Sequence, residues 1–208
     1  KEIVNDNTAF IALAYDSDND RVAFVRANNS SADCKVLIAQ VTDTTIGDPG
    51  TEVTLTSGAA SSPVRGSAVY ERSSGRVVVA CRKSTDSGEI VSFVIDPDDN
   101  SAGSATTGTF ESGAIGVGQQ IIAEYDKVHI AYADDGDSDK GKIVDVAVTA
   151  AGAYTVGTPV EFYGSALEQN NSPVNSAVDI GMAWDEDTKR AVIVFSDDST
   201  LGGQSIVV

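Results

Sequence analysis

Two short stretches of the chain place carboxylates at alternate positions. DSDND carries Asp16, Asp18 and Asp20, and DGDSDKG carries Asp135, Asp137 and Asp139. Alternate carboxylates in a tight loop can converge on a hard cation, and calcium takes roughly six to eight oxygens. These six residues are therefore the candidate calcium ligands, and calcium is the one cofactor the sequence suggests. The familiar calcium loop itself is absent, because Lys140 and Val146 stand where it needs glycine and glutamate. A plainer reading competes with metal: Asp and Asn favour turns because their side chains bond local backbone, and the corresponding stretch ERSSG has no acidic cluster.

Other chemistries find less support. His129 is the single histidine and lies in the alternating stretch KVHIAY with no G-x-S-x-G elbow, so it reads as a packed or surface residue. No phosphate-cradling or dinucleotide motif occurs. Cys34 and Cys81 do not have metal-ligand spacing, and their pairing is left open. A net charge of −17, from 14 basic and 31 acidic residues, excludes a nucleic-acid backbone as partner and disfavours an anionic membrane surface. No apolar run of ~18 residues is present to span a bilayer. The sequence opens at KEIV without Met or an apolar leader, as expected of a chain processed or excised from something larger.

The elements that would position these residues recur. Tyr15-Asp16, Tyr70-Glu71, Tyr125-Asp126 and Trp184-Asp185 follow one another at spacings of 55, 55 and 59 residues. In three copies Arg21, Arg76 or Arg190 stands six positions after the aromatic; in the third the connection is shortened and Lys127 takes that role. An alternating apolar stretch follows each basic residue (RVAFVRA, RVVVACR, KVHIAYA, RAVIVFS), then a polar loop, a third strand and a fourth. Such a unit is a small antiparallel sheet, and four of them predict an all-β, four-bladed β-propeller with four strands per blade. The blades fall at about residues 9–58, 65–113, 118–165 and 177–208. The last runs out after three strands, so residues 1–5 are expected to complete it and close the ring; insertion of that strand into a neighbouring molecule is the alternative. A β-sandwich is the competing architecture. The four aromatics are expected to fill wedges between blades rather than to stack on sugar, and the arginines to pair with acids across their turns.

Within this pattern His129–Ser165 resembles tandem repeats of β-propeller proteins from marine bacteriophages. The resemblance is carried by Ala131-Tyr132, Asp134-Asp135-Gly136, Val144, Val146, Gly157-Thr158-Pro159-Val160 and Phe162. It implies a virion-surface or tail-fibre component, virion or extracellular in location, and supplies no catalytic residues. STDSG at 84–88 matches half of the Asp-box of sialidase-like propellers but lacks the Thr-Trp that should follow, so it does not indicate a glycosidase.

Loops between second and third strands vary most, and variable loops on a rigid scaffold are where recognition concentrates. The candidate binding residues there are Asn28, Asn29, Asp33, Lys83, Asp86, Asp134, Asp137, Lys140, Asp197 and Asp198. The expected function is non-enzymatic recognition of a host-surface glycan or protein. The alternative is a structural subunit of a fibre or capsid decoration, contacting other virion subunits or its own copies. A glycan-cleaving enzyme would need carboxylates converging in one central pocket.

Overall fold

The structure, a computed structural model, describes residues 8–28, 33–57, 67–83, 85–116, 118–167, 180–197 and 202–208. Residues 1–5, which the sequence reading assigns to the closing strand, lie outside them. The described chain is all-β apart from a single 3-10 turn. No helix among the described residues is long and apolar enough to cross a membrane.

The repeats fold as four main antiparallel sheets in chain order, the second repeat adding a separate two-stranded sheet. The first comprises β1 (Thr8–Asp16), β2 (Arg21–Asn28), β3 (Cys34–Thr42), the short β4 (Thr45–Ile46) and β5 (Val53–Thr56), with β5 paired to β3. The second has β6 (Ser67–Glu71), β7 (Arg76–Arg82) and β8 (Gly88–Phe93), a small hairpin of β9 (Ile95–Asp96) and β10 (Ser101–Ala102), and β11 (Thr106–Glu111) on its outer edge. The third has β12 (Gln120–Ala123), β13 (Val128–Asp134), β14 (Lys140–Val148), β15 (Tyr154–Val156) and β16 (Val160–Ala166). The fourth ends after β17 (Ile180–Asp185), β18 (Arg190–Asp197) and β19 (Gly202–Val207).

The aromatic-acid signature is a turn device. In the first, second and fourth repeats the acid of the pair is the last residue of its inner strand and accepts from backbone N–H groups two and three residues on. Asp16 Oδ1 takes Asp18 N at 2.9 Å and Asn19 N at 3.2 Å, Glu71 takes Ser73 N and Ser74 N at 2.9 Å each, and Asp185 Oδ1 takes Asp187 N at 3.0 Å and Thr188 N at 3.3 Å. The residue that ends each turn is left-handed: Asp20 (φ 53), Gly75 (φ 68) and Lys189 (φ 55). Asp, Asn and Gly adopt that conformation at least cost. The third repeat replaces the device with a tight turn in which Glu124 N donates to Lys127 O at 2.9 Å.

Period-two alternation then sorts the second strands into two apolar faces. Counting from the basic residue, even positions face the next sheet and odd positions the preceding one. Ala23 and Val25 pack on Val77, Val79 and Cys81; Val78 and Ala80 on Val128, Ile130 and Tyr132; Ala131 and Ala133 on Ala191, Ile193 and Phe195. Inner strands pack in the order β1, β6, β12, β17. Three apolar interfaces thus join the four sheets. The fourth, which a closed ring of four requires, is not among the described residues.

Cys34 and Cys81 are free thiols buried on opposite sides of the first interface. Burial pushes the Cys34 thiol up to about 12 and raises Cys81 well above its ordinary value. The thiolate is the reactive form, so the native protein should leave a disulfide reagent such as DTNB unreacted and release two equivalents on unfolding in guanidinium. Reaction of either thiol within minutes in the native state would contradict this burial.

Candidate functional site

The inner strands run side by side, so their turns gather at one end of the sheets. A pocket of about 500 Å³ opens there, lined by Tyr15, Ser17, Tyr70, Arg72, Ala123, Glu124, Tyr125, Glu186 and Lys189. All four repeats contribute, each from its first-to-second turn. Tyr15 is 49% and Tyr125 71% exposed, which corrects the expectation that all four aromatics are wedge fillers. Only Trp184 meets that expectation fully: it stacks on His129 of the preceding sheet at 4.8 Å between ring centroids. Tyr70 is half-buried, packs on the first interface, and points its hydroxyl to Asp18 Oδ2 at 3.1 Å.

The pocket's polar groups are held in place by neighbours. Tyr15 Oη donates to Asp20 Oδ1 at 2.5 Å, Arg72 pairs with Asp18 at 3.1 Å, and Lys189 with Glu186 at 2.6 Å. The hydrogen bond to Asp20 raises the Tyr15 phenol above its ordinary value, and burial does the same for Tyr70, so both are neutral donors. The Lys189 ammonium holds the Glu186 carboxyl below the usual carboxylate range. Behind the rim, His129 is sandwiched by ring and charge: Nδ1 lies 2.7 Å from Asp145 Oδ1 and Nε2 3.3 Å from Glu124 Oε2, with Trp184 against its face. Lys127 reaches both acids, at 3.0 Å to Asp145 and 3.4 Å to Glu124. Burial pulls Asp145 upward, but hydrogen bonds from Lys127 and His129 outweigh it and hold the carboxyl below its ordinary value. His129 is therefore a packed residue that orients Glu124 from behind.

The candidate calcium ligands do not converge. Asp16 caps its turn, Asp18 is taken by Arg72 and Tyr70, and Asp20 by Tyr15. In the second cluster Asp137 pairs with Lys140 at 3.3 Å and Lys142 at 3.2 Å, and Asp134 with Lys142 at 2.5 Å. Asp135 lies with Asp137 in the 3-10 turn, and Ser138 and Asp139 turn left-handed after it. Among the described residues no group of three or more His, Cys, Asp or Glu side chains gathers as a metal site needs. Asp137 gives its oxygens to ammonium groups, while Asp16, Asp18 and Asp20 give theirs to backbone N–H groups, a guanidinium and tyrosine hydroxyls.

The predicted binding loops sit at the opposite end of the sheets, because each hairpin reverses the chain. Asn29 and Asp198 lie outside the described residues, as does the side chain of Asn28. Asp33 is half-buried just before β3. Lys83 pairs with Glu89 at 3.5 Å and Asp86 with Arg82 at 2.6 Å; Asp134 and Asp197 are buried; Lys140 also reaches Glu161 at 3.3 Å. The charges of these loops are largely taken up locally. Two of the arginines, Arg21 and Arg76, depart from expectation, whereas Arg190 stands opposite Asp185 across its turn. Arg21 donates to Asn19 O of its own turn at 2.7 Å and also to Pro97 O at 2.6 Å in the second repeat; Arg76 donates to Ser92 Oγ at 2.9 Å in its own sheet and to Ala150 O at 3.2 Å in the third. Ser17, Arg72, Glu124, Glu186 and Lys189 were not singled out from sequence; their shared signal is a position within five residues of a repeated aromatic.

The sequence matches no protein-family model and no curated protein. Its structure is similar to that of the PQQ-bound aldose sugar dehydrogenase of Streptomyces coelicolor, with a TM-score of 0.50 at 16% identity, covering 93% of this chain and 57% of that one. It also resembles GH43B of the Bacteroides ovatus xyloglucan locus, with a TM-score of 0.48 at 14% identity, covering 99% and 42%. The first of these is a β-propeller protein, and the fold this chain shares with it is a succession of small antiparallel sheets packed face to face. The chain spans little more than half the length of the first of these and less than half of the second.

Proposed function

We propose that the four sheets are consecutive propeller blades and that the axial pocket is a glycan-binding site. The observation that carries this reading is the convergence of Tyr15, Tyr70 and Tyr125 with Arg72, Glu124, Glu186 and Lys189 around one opening. A pyranose has an apolar C–H face that suits an aromatic ring and a rim of hydroxyls that suits carboxylates and cationic donors. Sites of this kind combine aromatic surface with a few fixed polar groups. The reading is of a binding module rather than an enzyme, since each carboxylate on the rim is engaged by a cation or by His129. A setting on a virion or other extracellular surface is supported by the likeness of His129–Ser165 to bacteriophage repeats.

A glycan array of neutral and acidic oligosaccharides, followed by calorimetry on the best ligand, tests the site. Tyr125→Ala should weaken binding about tenfold, the equivalent of about 1.4 kcal/mol of lost stacking, with the fold intact because the ring is exposed. Retention of no oligosaccharide, or equal affinity in the variant, would remove the reading.

A further inference from the structure

We propose that the outward faces of the first and last sheets are two halves of one further inter-sheet interface, and that a second copy of this chain packs head to tail to supply the missing half. The repeat itself defines what those faces are for. On β18, Val192 and Val194 occupy the even positions that in the three preceding sheets are Ala23 and Val25, Val78 and Ala80, and His129 and Ala131. In those sheets every one of these residues is buried. On the last sheet Val192 is 36% and Val194 49% exposed, and Val207, paired with Val192 across the sheet, is exposed too.

At the other end, β1 and β2 present the odd face, the one that receives a preceding sheet. Leu13 is 57% exposed there, and its cross-strand partner Phe24 is only partly buried. A groove of about 550 Å³ crosses the last sheet, lined by Gly181, Val194, Ser196, Gly203 and Ser205 together with edges of Ile180 and Phe195. It offers room for side chains such as Leu13 and Phe24.

The basic residues point the same way. Arg21 and Arg76 each cross to a backbone carbonyl of the next sheet, at Pro97 and Ala150. Arg190 holds the corresponding place on the last sheet and is exposed. The existing interfaces are made by apolar faces of this same repeat, so a copy of the chain carries a face already patterned for each open end. On the first sheet the Glu52 carboxylate beside this face is paired with Arg26 at 2.6 Å and Lys35 at 3.5 Å, which lets copies with a net charge of −17 approach there. A contact joining unlike faces is heterologous, closing a ring if the rotation permits.

Sedimentation velocity across a concentration series tests this on the full chain. The wild type should be dimeric or larger. Val194→Asp blocks one face and Leu13→Asp the other, so each alone should be monomeric with an unchanged far-ultraviolet spectrum. Mixed in equal amounts they should regain a dimer, because one intact face of each remains. A monomeric wild type up to ~100 µM, well above ordinary specific affinities, would overturn the proposal, as would a dimer that survives in both variants or fails to return on mixing. Neither variant touches the axial pocket, so glycan binding is read separately.

Discussion

Replacing Glu71 with alanine lowers the melting temperature by roughly 5 to 15 °C, the largest loss expected from any single turn residue. Glu71 is wholly buried, and its two oxygens accept Ser73 N and Ser74 N at 2.9 Å each. Removing the carboxylate leaves two donors without their acceptor, that of Ser74 in a buried turn. An unsatisfied buried donor costs about 1–3 kcal/mol, so the variant should lose about 2–4 kcal/mol, and a domain of this size shifts by roughly 2–4 °C for each kcal/mol. Glu71→Gln keeps one carbonyl acceptor and should lose less. Asp185→Ala removes the equivalent acid of the last repeat, where the turn is exposed and water can take over, so its loss should be much smaller. Thermal unfolding followed by circular dichroism separates the three. Equal melting temperatures for Glu71→Ala and wild type would show that the acid is not what holds the turn.

Gly88→Ala is the second large effect. A Cβ at Gly88 would lie 2.5 Å from two ring carbons of Phe110, which covers it from the outer strand. The same pair recurs in the third sheet, where a Cβ at Gly141 would lie 2.5 Å from the Phe162 ring. Gly88 pairs with Glu111 and Gly141 with Tyr163, each one residue past the phenylalanine. In the first sheet Cys34 pairs with Thr56, one residue past Leu55. Volume is thus traded between two positions: Phe over Gly twice, Leu over Cys once. Overpacking of this kind costs about 1–3 kcal/mol. Phe110→Leu alone should also destabilise, by opening space at the ring-to-ring contact with Tyr132, whose centroid is 5.3 Å away. In the double variant the two changes relieve each other, and the total loss should fall below the sum by about 0.5–2 kcal/mol. Simple additivity in guanidinium unfolding would show that the two positions are not coupled.

These two pairs of residues illustrate where sequence reasoning reached and where it stopped. The recurrence of Glu71 with Asp16 and Asp185 is visible by inspection, and so is the hairpin it opens. Turn geometry and strand alternation are local, decided by residues within six positions of one another, and a linear reading follows them well. The exchange of Gly88 for Cys34 looks like drift in the sequence, since its compensation in Phe110 and Leu55 lies some 20 residues away across a strand pair. The small hairpin of β9 and β10 and the short β4 and β15 leave no mark in the sequence, because two or three residues of pairing are too few to show a period.

The chain's own order of residues determined that it is all-β, that one sheet motif recurs four times, where each hairpin begins, and which positions alternate toward apolar neighbours. Tertiary packing decided the rest. It turned Asp18, Asp20 and Asp137 from apparent cation ligands into partners of tyrosine, arginine and lysine, and sent Arg21 and Arg76 across to the next sheet. It also gathered Tyr15, Tyr70 and Tyr125 around one pocket at the end of the sheets opposite the variable loops. The reason is physical: a side chain's backbone conformation is settled by near neighbours, whereas its charge partner and exposure are settled by whichever sheet arrives beside it.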